Sequence, residues 1–191
     1  MTSRVAPGGL ASLYKLQPDM KTFGKYLGGG LAFGAFGGRA DVLAVFDPRS
    51  SNPSVLAHHG TFNNNTLAMH VGHAGLIEIY TPEVCKGFND EGNALLERLR
   101  VVTRGTKLCF TGTGTVMASH FTDLGLQTLE RETEENWTLK SLFWLEMMEA
   151  GFWMSRRGSI SLILGTPAAE FDRFVECVAA FLERHDDLVQ V

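Results

Sequence analysis

The spacing of apolar residues changes character near residue 82. Downstream of it, three segments carry apolar positions at helical spacing. Glu83 to Val102 is charged except for a stripe with Leu95, Leu96 and Leu99, which predicts an amphipathic helix. Asn136 to Ala150 predicts a second, with Trp137, Leu142, Phe143, Leu145 and Met148 inward and Gly151 at its C-terminus. Pro167 to His185 predicts a third, with Phe171, Phe174, Val175, Val178 and Leu182 at core spacing. Lys107 to Phe110, Val116 to Phe121 and Ile160 to Leu164 read as strands, the first two parted by Thr111-Gly112-Thr113-Gly114 as a turn. The order helix–strand–strand–helix–strand–helix implies a small α/β layer.

Upstream the pattern is broken by glycine. Met1 to Gln17 reads as irregular around Pro7-Gly8-Gly9, and Pro18 to Lys25 as an extended segment ending on the lysine. Gly28-Gly29-Gly30 interrupts the backbone before a second strand, Leu31 to Gly37. Asp41 is the expected N-cap of a short helix through Phe46, closed by Asp47-Pro48, and Arg49 to Ser54 reads as loop. Asn63-Asn64-Asn65 supplies cap residues before Leu67, Met69, Val71, Ala74, Leu76, Ile77 and Ile79, a mostly apolar helix. Thr81-Pro82-Glu83 stops it, and a domain boundary is expected there, giving 1–82 and 83–191.

Composition narrows the classes. The 191 residues are 45% hydrophobic and 20% charged, ordinary for a globular chain with a real core. A net charge of −4 gives no footing for nucleic acid or an anionic membrane surface as partner. Cys85, Cys109 and Cys177 lie far apart without metal-ligand spacing, and MTSRVAPGGLASLYK has no secretory core. Reduced thiols in a cytoplasmic compartment are the expectation. No apolar run reaches the length of a membrane span.

Lys25 stands alone in GKYLGGGLAFGAFGGR, apolar or glycine until Arg39. It is either a solvated loop lysine or an amine held inward, where glycines admit a bound group and apolar surroundings favour the neutral, nucleophilic form. Phosphate-loop spacing is not met around it. His58-His59 and the His70/His73 pair lack further ligands, so they read as structural and no metal is expected. Thr61 with the amides of the following helix offers an anion site, or a plain cap. Arg156-Arg157 at the entry to a strand could clamp a carboxylate bidentately, or simply face water.

PDMKTFGKYLGGGLAFGAFGGRADVLAVFDP followed by HGTFNNNTLAM resembles the class III aminotransferases, pyridoxal-phosphate enzymes of fold type I. Their pattern is Gly-Lys-x-x-Gly-Gly-Gly, then Gly-Ala-x-Gly-Gly-Arg, then Gly-Thr before a helix. The β-amino-acid (β-phenylalanine) transaminases are especially similar, through MTSRVAPGGL, GTFNNN and SRRGSISL, with the glutamate-1-semialdehyde 2,1-aminomutases next. The resemblance implies an α/β chain comprising the end of the large cofactor domain, 1–82, and the small C-terminal domain, 83–191. The Asp-Glu-Val that meets the pyridine nitrogen, the phosphate loop and the stacking aromatic would fall ahead of Met1, so a C-terminal half is expected. Lys25 would form the internal aldimine with pyridoxal 5'-phosphate and shuttle the proton. Gly60-Thr61 would bind the coenzyme phosphate of the neighbouring subunit in a homodimer. Arg156 or Arg157 would meet the substrate carboxylate. The implied activity is transamination between a β-amino acid and a keto acid. The alternatives are the aminomutase reaction, from which Gly-Thr-Phe-Asn-Asn-Asn departs, and a non-catalytic remnant lacking half the site.

Overall fold

In a computed structural model the structure describes residues 2–51, 55–123 and 134–191, so the loop expected through Ser54 ends outside them. Contacts divide the chain into two units, Met1–Cys85 and Lys86–Val191.

In the first unit a single helical turn, α1 (Leu10–Leu13), precedes an antiparallel hairpin. Strand β1 (Met20–Gly24) pairs with β2 (Gly34–Gly38) in the register Met20↔Gly38 to Gly24↔Gly34. Arg39 ties the hairpin ends, donating to Asp19 at 2.7 Å and to Asp41 at 2.5 Å. The helix expected to be capped by Asp41 begins two residues earlier. α2 (Ala40–Leu43) has Arg39 at its cap position, and the Asp41 carboxylate is taken up by the Arg39 guanidinium. Helix α3 (Thr66–Ala74) is capped by Asn65, which accepts from the Ala68 amide at 3.1 Å, and runs on into a wide π-helical turn over Gly75–Ile79. This unit buries few of its apolar side chains: Phe23, Phe36, Leu67, Met69, Ile77 and Ile79 are all exposed.

The second unit has a core of its own. Helix α4 (Pro82–Val102) buries Leu95, Leu96 and Leu99 against strands β3 (Leu108–Thr113) and β4 (Val116–Phe121). With β5 (Ser159–Ser161) these form an antiparallel sheet in the order β3-β4-β5. The expected turn over Thr111 to Gly114 is mostly strand. The tight reversal sits at Gly114–Thr115, whose amides are fixed by the side chains of Asn93 and Asn89 at 2.7 and 2.9 Å. The last strand is likewise shorter than Ile160 to Leu164, and Ile163 is exposed. Helices α5 (Trp137–Glu149), α6 (Ala168–Arg184) and α7 (Asp186–Val189) complete the unit. Phe143 on α5 meets Phe110, Phe121 and Phe181 with ring centroids 6.3, 5.8 and 5.1 Å apart. Two α5 residues expected inward, Trp137 and Leu145, are exposed, and Met147 is more deeply buried than Met148. Trp137 lies in the first turn, where its ring covers the Lys140 ammonium at 5.0 Å rather than the core.

Lys140 is 2% exposed and is the one charged residue among the described residues so deeply buried. Its ammonium donates to Glu135, whose other oxygen accepts from His120 Nδ1 at 2.6 Å; His120 Nε2 lies 2.9 Å from the Thr111 hydroxyl. Burial opposes ionisation of Glu135, but the bonds and charges of Lys140 and His120 outweigh it and hold the carboxyl below its ordinary value of 4.5. Burial, aided by Glu135, pushes the nearby Cys109 thiol up to about 11.

Three outcomes follow from this packing. Phe143→Ala should lower unfolding free energy by about 3–5 kcal/mol in urea titrations, because four rings share that contact. A depressed carboxyl contributes stability that is present above its unfolded value and lost as pH falls through its folded value. The acid limb of a stability profile below 4.5 should therefore flatten in Glu135→Gln. Alkylating agents at mildly basic pH should modify Cys177, which is half-buried, well before Cys109, whose thiolate is scarce; peptide mass mapping reads the order.

Candidate active site

Lys25 follows the last residue of β1. Gly24 is extended, with φ 174, and Lys25 turns abruptly to φ 59 at the head of a 3-10 turn over Lys25–Gly28. The left-handed region is unfavourable for a residue with a β-carbon, costing on the order of 1–2 kcal/mol, and such residues gather at functional sites. Gly29 and Gly30 continue in that region at φ 61 and 91.

The seat is built from close backbone packing. A β-carbon on Gly28 would strike Phe33, one on Gly29 would overlap Val71 of α3, and one on Gly72 of α3 would overlap the Leu27 carbonyl. Two of the three glycines in the run thus admit close packing within this same chain, Gly28 against Phe33 and Gly29 against α3, rather than the bound group that the sequence suggested. Gly30 and Gly34 meet nothing within 4 Å, so open space remains there, and Gly34 is the register partner of Gly24.

The Lys25 side chain is exposed and makes no hydrogen bond or ion pair among the described residues. The expectation of an amine sheltered from water is not met within this chain. The reason is local: Gly24, Gly28, Gly29 and Gly30 have no side chains to cover it, while Tyr26 turns its ring to Tyr80 at 5.7 Å.

Gly60 lines an open hollow of about 1000 Å³ together with Gly34, Phe36, His58, Asn63 and Met69. Lys25 and Thr61 line none of the three hollows described. Gly60 accepts from the Asn63 amide at 3.0 Å, and a β-carbon there would overlap the Asn63 side chain. Thr61 stands four residues before the Asn65 cap, so it does not cap α3; its hydroxyl is exposed and unpartnered among the described residues. Sequence reading missed how the asparagines divide the work. Asn63 braces Gly60, Asn64 takes the left-handed position at φ 55, and Asn65 caps. The signal was there in a residue type that tolerates both roles. His58 packs edge-on against Phe36 and Phe46, a structural role, and no cluster suited to a metal ion occurs among the described residues.

In the second unit Arg156 and Arg157 occupy a turn from Ser155 to Gly158, closed by the Gly158 amide donating to the Ser155 carbonyl at 2.8 Å. The two arginines are not equivalent. Arg156 Nε donates to Ser141 Oγ at 3.2 Å, whereas Arg157 is exposed with no partner among the described residues.

The family model for aminotransferase class-III matches residues 9–164. An uncharacterized aminotransferase of Schizosaccharomyces pombe is 45% identical, over 100% of this chain and 43% of its own length. The β-phenylalanine transaminase of Variovorax paradoxus is 40% identical, over 99% of this chain and 43% of its own. A glutamate-1-semialdehyde 2,1-aminomutase of Methanoculleus marisnigri is 34% identical over 79% of this chain and 35% of its own. The crystal structure of the Variovorax paradoxus β-phenylalanine aminotransferase superposes with a TM-score of 0.90, over 100% of this chain and 44% of that one. The chain therefore spans less than half the length of these relatives, and its α/β architecture is the corresponding part of the type I fold of pyridoxal-phosphate enzymes. With a family model spanning both the lysine turn and the arginine turn, the chain belongs to the class III aminotransferases.

Proposed function

We propose that this chain supplies the amine-bearing and carboxylate-binding residues of a pyridoxal-phosphate-dependent transaminase that moves an amino group between a β-amino acid and a keto acid. The observation that carries it is the Lys25 amine, without a partner among the described residues and set on a strained, tightly packed turn. A backbone held this firmly fixes the point from which the Lys25 side chain reaches.

The residues present fit the coenzyme. Among the described residues Lys25 offers an amine with no acid paired to it and Thr61 a hydroxyl with no partner, while Gly30 and Gly34 leave open space. When bound, pyridoxal phosphate supplies an aldehyde to hold the amino group and a ring that accepts the electrons released at the adjoining carbon. Lys25 Nζ binds the coenzyme and then carries the proton to and from that carbon. Thr61 Oγ donates to a phosphate oxygen of the neighbouring subunit's coenzyme in a homodimer. Arg157 donates from two nitrogens to the substrate carboxylate, while Arg156 stays with Ser141. Identity to the β-phenylalanine transaminase, 40% against 34% for the aminomutase, supports a β-amino substrate over isomerisation.

For the assay, the chain is combined with polypeptide matching the rest of the relatives' length. Borohydride should then fix pyridoxal phosphate to the Lys25 peptide, read by mass spectrometry, and Lys25→Ala should abolish the adduct and cut turnover by roughly 10²-fold or more. A chain that takes up no coenzyme would be the non-catalytic remnant. Arg157→Met should raise KM for a β-amino acid at least about tenfold, and Arg156→Met much less, in steady-state assays.

A further inference from the structure

Burying an ammonium is costly, and an ion pair that satisfies it seldom stabilises more than an apolar side chain of the same size would. Lys140 therefore invites a role other than stability. Over it lies the turn from Ser155 to Gly158. Gly158 has φ 90, and a β-carbon there would overlap the Ser119 carbonyl and come within 2.8 Å of Lys140 Cε and of Ser119 Oγ. The Ser119 amide donates to the Gly158 carbonyl at 3.0 Å. The Lys140 stem and β4 are thus the floor beneath the turn. The far end of that stem is clamped: Nζ donates to Glu135, which accepts also from His120 at 2.6 Å, and the Trp137 ring covers it. From the same helix Ser141 holds Arg156. These contacts hold the turn from beneath, and of its two arginines Arg157 is the one without a partner among the described residues.

We propose that Lys140 is a positioning residue: clamped by Glu135, it fixes the turn from Ser155 to Gly158 so that Arg157 projects unpaired and ready for a carboxylate. This rests on the reading of Arg157 as the substrate-binding arginine. An apolar side chain of similar length would fill the volume but keep its rotamer freedom, and the turn above would inherit that freedom. A turn already held in place loses less backbone freedom when the arginine it carries binds.

The test removes both charges at once, in Glu135→Gln/Lys140→Met, so that no buried charge is left unpaired. Hydrogen–deuterium exchange on the purified chain should quicken at least about tenfold at the Gly158 and Ser155 amides, the two that close the turn, with the rest of the second unit unchanged. In the assembled enzyme, KM for a β-amino acid donor should rise about tenfold with kcat held, and KM for an aryl-alkyl amine without a carboxylate should stay as it was. Unchanged exchange at those amides, or equal rises in KM for both donors, would overturn the proposal. Should the double variant fail to fold, Gly158→Ala presses on the same contact from above and is judged by the same readouts. Arg157→Met separates the two layers. If it leaves the β-amino acid KM unchanged, the carboxylate role falls and positioning for substrate falls with it. If it raises KM while the double variant does not, only the positioning fails.

Discussion

A single backbone conformation organises the first unit. Lys25 can hold φ 59 only because the residues after it have no side chains where α3 presses in. Gly28 and Gly29 accept Phe33 and Val71, and Gly72 returns the favour by accepting the Leu27 carbonyl. Adding one methyl group at Gly29 or Gly72 would press the helix away, and one at Gly28 would press on Phe33. The strain at Lys25 is thus maintained by packing several residues away, which is how unfavourable torsions persist in folded proteins.

The two units solve the burial problem differently. The second closes five phenylalanines and the α4 leucines into one buried cluster. The first leaves aromatic and aliphatic side chains of its hairpin and of α3 in the open. Exposed apolar area on that scale marks a surface made for contact. The polar residues follow the same division. Lys25 and Thr61 stand exposed in the first unit with no partner among the described residues, whereas the second unit sinks Lys140 into its interior and pairs it.

What the sequence disclosed depended on whether a signal was local. Periodicity located α4 and α6 closely, since stripes such as Leu95-Leu96-Leu99 depend only on helical geometry. The GKYLGGG and HGTFNNN motifs marked the lysine and threonine turns. Local patterns misled where a long-range partner intervened. Thr111-Gly112-Thr113 reads as a turn, yet asparagines some twenty residues upstream tighten the reversal one step later and leave it in the strand. Trp137 reads as core until the buried ammonium three residues on gives its ring another occupation. The Glu135–Lys140–His120 group was invisible for the same reason, because β4 and α5 meet only in three dimensions.

The arginine pair shows how context separates chemically identical neighbours. Ser-Arg-Arg-Gly offers two guanidiniums of equal charge and reach, and no sequence rule ranks them. The fold does, by giving one of them a hydroxyl on α5. A guanidinium whose Nε is already bonded keeps only its terminal nitrogens for a carboxylate, so it offers fewer bidentate approaches than its neighbour. Arg157 has no partner among the described residues, and the glycine after it packs over Ser119 and Lys140. Selectivity between two like residues thus comes from which of them the surrounding polar groups have left unsatisfied.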